Sequence, residues 1–84
     1  MDVLLTKKAA KELDKLPDPL ARKIASELQK LGKAPFPANS KKLKGDNNYR
    51  LRIGVYRAIY WIDKREKTVV VLRVADRKTV YRNF

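Results

Sequence analysis

YRLRIGVYRAIYWID, residues 49–63, decides the fold. On both sides of Gly54-Val55 apolar side chains recur at every second position, the period of a strand with one face buried. A two-residue connection that begins with glycine suits a tight hairpin. The expected elements are a strand over 49–53, a turn at Gly54-Val55 and a strand over 56–63. A third strand is expected over 67–75, after a charged turn at Lys64 to Glu66.

Alternation assigns the faces. Leu51 and Ile53 turn towards a core, and so do Tyr56, Ala58, Tyr60 and Ile62. Val70, Leu72 and Val74 are expected to join them from the third strand. The other face then carries Arg50, Arg52, Arg57 and Arg73, with Ile59 and Trp61. Four arginines from three strands thus converge on one surface. Like charges gathered on a sheet repel, and a surface built only for solubility would interleave acids. The structural alternative is that each arginine lays its stem over the sheet and pairs with Asp46, Asp63 or Asp76.

The core that these strands need comes from the first half of the chain. Val3 to Leu5 reads as a short strand, and Thr6 offers a helix N-cap. Ala9, Ala10, Leu13 and Leu16 recur at helical spacing until Pro17 stops the helix. Asp18 as N-cap and Pro19 as first helical residue open a second helix with Leu20, Ile24, Leu28 and Leu31 on one face and Gly32 at its end. Residues 33–48, KAPFPANSKKLKGDNN, read as a loop. The tail RKTVYRNF has no clear period. The fold class is α+β: a helical hairpin on one face of a small, about four-stranded, mainly antiparallel sheet, in the order βααβββ. Residues 1–84 are expected to form a single domain, since this length is too short for two independent cores.

The chain has no Cys and no His, which excludes disulfides, the usual zinc sites and imidazole chemistry. No cofactor or metal site is expected. No apolar run approaches the ~20 residues of a membrane span, and no signal segment is evident, so a cytoplasmic protein without a membrane partner is expected. The net charge of +12 is uneven: residues 41–84 hold thirteen basic and four acidic side chains. That excess favours a polyanionic partner, with nucleic acid the first candidate.

KLKGDNNYRLRIGVYRAIYWID followed by TVVVLRVADRKTVYR resembles the RelE family of bacterial and archaeal toxins. The hairpin containing LDKLP, the KLKG loop, the YRLRIGVYRAIY hairpin and RKTVY occur in that family's order and spacing. The resemblance implies the same fold and an endoribonuclease, the toxin of a type II toxin–antitoxin system. Such an enzyme cleaves messenger RNA in the ribosomal A site by metal-independent attack of the 2′-hydroxyl. It also implies a cognate antitoxin as partner, besides ribosome and mRNA, with operator DNA bound only through the antitoxin complex.

By the same resemblance Lys44 in KLKG holds the RNA backbone, and Arg50 and Arg52 stand where the family has a basic pair. Arg73 joins the RNA-binding set from the basic face. Arg57 in GVYR is similar to the arginine that stabilises the transition state, and Arg77 and Tyr81 in RKTVY are similar to the arginine and tyrosine of the active site. Arginine stays protonated and cannot be the base. Tyr81 is the residue at that site with a proton to exchange, or else a core tyrosine with a satisfied hydroxyl. Many relatives carry His where this chain has Asp76, which reads as an ion-pair partner of Arg77 and stays outside the catalytic set.

Two other functions remain open. One is a gyrase-poisoning toxin of a related branch, and the other is a non-catalytic relative that binds RNA or operator DNA. Ile59 and Trp61 beside the basic residues suggest coverage by another chain, with a satellite core under the long loop as the alternative.

Overall fold

The computed structural model describes residues 1–45 and 47–80. Along the chain run β1 (Asp2–Leu5), α1 (Lys7–Asp14), α2 (Asp18–Lys30), β2 (Ser40–Lys42), β3 (Tyr49–Ile53), β4 (Tyr56–Asp63) and β5 (Thr68–Asp76). The strands form one sheet in the order β1-β5-β4-β3-β2. β1 runs parallel to β5, and every other pairing is antiparallel.

Local chemistry explains the helical hairpin. The Thr6 hydroxyl accepts from the Ala9 amide at 3.2 Å and donates to the Leu72 carbonyl at 3.1 Å, so one side chain caps α1 and ties it to β5. α2 begins one residue earlier than expected: Asp18 is already helical and Pro17 precedes it without a side-chain cap. Pro19 still sits in the first turn, where a missing N–H leaves no helical bond unmade. Gly32 follows α2 for a different reason than a left-handed cap. A Cβ there would lie 2.5 Å from the Met1 carbonyl oxygen, while the Met1 ammonium donates to the Gly32 carbonyl at 2.8 Å.

The core lies between the helices and one face of the sheet. Ala9, Ile24, Leu28 and Leu31 pack there against Leu51, Ile53, Ala58, Tyr60, Val69, Val71 and Val74. Two expectations for the sheet need correction. The segment read wholly as a loop supplies a fifth strand, β2, which pairs with β3 through Lys41↔Arg50 and Lys42↔Tyr49. Three residues with two lysines carry no hydrophobic period, as befits an edge strand protected by charge. Val69 and Val71, and not Val70 and Leu72, face the core with Val74. A bulge causes the change: Ile59 opposes Arg73 while Tyr60 opposes Val71, which leaves Leu72 as the extra residue.

The hairpin turn matches its sequence. Gly54 has a φ of 61°, a conformation costly for residues with a Cβ, and Val55 stands exposed beside it.

Candidate nucleic-acid interface

Strand register assembles the basic face. Lys41 lies opposite Arg50, Arg50 opposite Ile59, and Ile59 opposite Arg73, so these four share one row. The neighbouring row on the same face is Arg52, Arg57 and Ala75. Lys41, Arg50, Arg52 and Arg57, with Asn39 and Ser40, line a cleft of about 290 Å³. Among the described residues, no carboxylate lines it. Lys41 was not anticipated, because the strand that carries it gives no sequence signal.

Arg57 is oriented by its own backbone. Its Nη1 donates to the Gly54 and Tyr56 carbonyls, both at 2.8 Å, which holds the guanidinium at the hairpin turn. The C-terminal turn comes to the same place: the Arg77 amide donates to the Val55 carbonyl at 2.9 Å, and Arg77 is exposed. Arg57 and Arg77 therefore flank one end of the sheet. Lys44 stands in the β2–β3 turn beside Gly45, at the Tyr49 end of β3, with the length of that strand between it and Arg57. Tyr81 lies outside the described residues.

Arg73 is on the expected face but is not exposed. Only 5% of it is accessible, and its Nη2 lies 2.9 Å from Glu12 Oε2 while its Nε donates to both Glu12 oxygens at 3.1 and 3.2 Å. Its Nη1 reaches the Val80 carbonyl at 3.4 Å. Glu12 also accepts the Val74 amide at 2.9 Å, at the bulged part of β5 beyond its pairing with β1. Arg73 thus ties helix α1 to the C-terminal turn through Glu12, not through Asp63 or Asp76, while Asp46 lies outside the described residues. Ile59 is fully buried, which fits a satellite core rather than an exposed patch, whereas Trp61 stays partly exposed.

Asp76 has a structural task as well. Its Oδ1 accepts the Lys78 amide at 2.9 Å and the Thr79 amide at 2.8 Å, closing the turn that presents Arg77. Hydrogen bonding from Thr79, side chain and backbone, and from the Lys78 backbone holds its carboxyl below the usual value. Among the described residues it makes no salt bridge with Arg77. Tyr60 is no proton exchanger, for burial pushes its phenol up and its hydroxyl donates to the Pro35 carbonyl at 2.6 Å.

Residues 3–81 match the family model described as the ParE toxin of the type II toxin–antitoxin system parDE. The chain belongs to this toxin family. A Methanocaldococcus jannaschii protein provisionally named toxin RelE1 is 29% identical over 86 residues, covering 98% of this chain and 96% of that protein. A chain of the toxin–antitoxin complex RelBE2 from Mycobacterium tuberculosis is similar in structure, with a TM-score of 0.80, 32% identity and 90% coverage of each chain. The archaeal RelE–RelB complex from Pyrococcus horikoshii gives a TM-score of 0.80 at 28% identity, covering 94% of this chain and 97% of that one. The toxin is thus a member of the RelE/ParE superfamily, and its two helices on a mostly antiparallel sheet are the RelE-like fold. No helix among the described residues is long and apolar enough to cross a membrane.

Proposed function

We propose that this toxin is a ribosome-dependent endoribonuclease, which inhibits translation by cleaving mRNA in the A site and is silenced by a cognate antitoxin. The observation that carries the reading is the direct opposition of Arg52 and Arg57 across β3 and β4, in a cleft that no described carboxylate lines. Placing like charges opposite each other weakens a strand pair, and a bound phosphate reverses that penalty. An antitoxin partner is supported by the Mycobacterium and Pyrococcus relatives, both found as toxin–antitoxin complexes.

RNA cleavage by its own 2′-hydroxyl needs a base, positive charge at the phosphorane and a proton for the departing 5′-oxygen. Arg57 and Arg77 are assigned the charge. Tyr81 is assigned proton transfer, since Asp76 is occupied by turn amides that favour its ionised form and weaken it as a base. Lys44, Arg50 and Arg52 are assigned to the RNA backbone, with Lys44 gripping it away from the reaction centre. Arg73, engaged by Glu12, serves the scaffold and is removed from the contact set.

The ParE description of the family model favours a second reading, inhibition of DNA gyrase. Induced expression separates the two. The nuclease reading expects new mRNA ends inside A-site codons with intact chromosomal DNA. Intact message with gyrase-linked double-strand breaks would establish the gyrase reading instead.

A further inference from the structure

A notch opens where the sheet loses a strand. β3 begins at Tyr49, paired with Tyr60, while β4 runs on to Asp63. Phe36, Lys42, Tyr49, Trp61 and Lys64 line the resulting cleft of about 430 Å³. Lys42 and Lys64 are exposed, and no described carboxylate lines the cleft.

Phe36 is an unusual lining residue, because it is 57% exposed yet held on several sides. It stands between Pro35 and Pro37, which fix their own φ and restrict the residue before each of them. Its ring packs on Tyr49 with centroids 5.0 Å apart, and Tyr49 stacks on Tyr60 at 5.6 Å. The Tyr60 hydroxyl in turn holds the Pro35 carbonyl, immediately before Phe36. An aromatic ring that is rigid and exposed is a platform whose ordering cost has been met before anything binds.

The notch opens through the edge of the sheet: Lys42 and Tyr49, with Phe36 packed on Tyr49, line it from the core-side row of Tyr60, and Trp61 lines it from the arginine face. Trp61 shares that face with Ile59 and Arg57, so at about 3.4 Å per residue it stands ~14 Å along β4 from Arg57. Planar rings flanked by cations, next to a phosphate-binding surface, match a nucleotide better than an acidic peptide. We propose that the notch is a second RNA subsite. It takes one unpaired base of a single-stranded RNA against Phe36 and Trp61, with the adjoining phosphate on Lys42 or Lys64. This rests on the reading that the basic face binds RNA.

Trp61 is the single tryptophan of the chain, so its fluorescence reports on the notch and the adjoining end of the arginine face. The purified toxin is titrated with a short single-stranded RNA and with an abasic oligonucleotide of equal length and charge. The RNA is expected to quench Trp61, and the abasic chain to bind with little quenching. Phe36→Ala should weaken RNA binding about tenfold or more, and Phe36→Tyr should restore it. Equal quenching by the abasic chain would overturn the proposal, as would unchanged RNA affinity in a folded Phe36→Ala protein. A loss confined to antitoxin binding in Phe36→Ala would also overturn it, by assigning the notch to the protein partner. Ribosomal cleavage is scored separately. A toxin that cleaves without base-dependent quenching loses the notch alone, whereas one that quenches without cleaving keeps it and loses the nuclease reading.

Discussion

Glu12 on α1 and Arg73 on β5 are 61 residues apart in sequence, yet their carboxylate and guanidinium meet at 2.9 Å with only 20% and 6% of the side chains accessible. Glu12 also closes the edge of β5 left unpaired beyond β1, through the Val74 amide, and Arg73 holds the Val80 carbonyl. Removing one member of such a pair leaves the other desolvated and unmatched, at a cost of ~3–5 kcal/mol for full burial. The partial exposure of Glu12 places Arg73→Ala near the lower end, about 3 kcal/mol. Thermal unfolding should show Tm lower by 10 °C or more, on a scale of about 4–8 °C per kcal/mol for a domain of this size. An unchanged Tm would show that this contact does not hold the fold.

The Arg52–Arg57 pair predicts the opposite sign for stability. Arg52→Thr removes a like-charge neighbour and introduces a good strand former, so the fold should gain a few tenths of a kcal/mol, up to about 1. RNA binding should weaken and lose about one unit of its salt slope. Paired melting and salt-titration measurements check this trade. A variant that melts lower and binds RNA unchanged would refute it.

Asp76 makes the C-terminal turn sensitive to acid. Its folded carboxyl titrates below its ordinary value of 3.8, so the stabilisation is present above that value and lost as pH falls through the lower folded one. Amide exchange should therefore show Lys78 and Thr79 protected at neutral pH and progressively released below about pH 4. In Asp76→Ala the two amides should exchange rapidly even at neutral pH. Equal protection in this variant would mean that the turn does not depend on the carboxylate.

Gly32→Ala should destabilise the protein without touching the basic face. The new methyl meets the Met1 carbonyl at 2.5 Å, so β1 or the end of α2 must shift. Overpacking of this kind costs about 1–3 kcal/mol. Urea unfolding should give a lower midpoint at an unchanged slope, and a midpoint equal to the parent would show that β1 moves freely.

Much of this architecture was legible because it is local. The 49–63 hairpin announces itself by period and glycine turn, and Ile24, Leu28 and Leu31 announce the buried side of α2. The rest depends on relations that sequence does not display. β2 is defined only by its pairing with β3, and the bulge at Leu72 reverses the expected faces of β5 before Arg73, leaving Arg73 and Val74 as expected. Arg52 and Arg57 followed from alternation alone. The burial of Arg73 did not, because its partner Glu12 lies on a helix whose position is set by tertiary packing.

The nuclease assignment is tested by single-turnover cleavage of message on programmed ribosomes, by purified toxin and its Arg57→Ala and Tyr81→Phe variants. The parent is expected to cut within the A-site codon, and each folded variant to be slower by about 10²-fold or more while still binding the ribosome. No cleavage by the folded parent, or cleavage at the parental rate by both variants, would contradict that assignment.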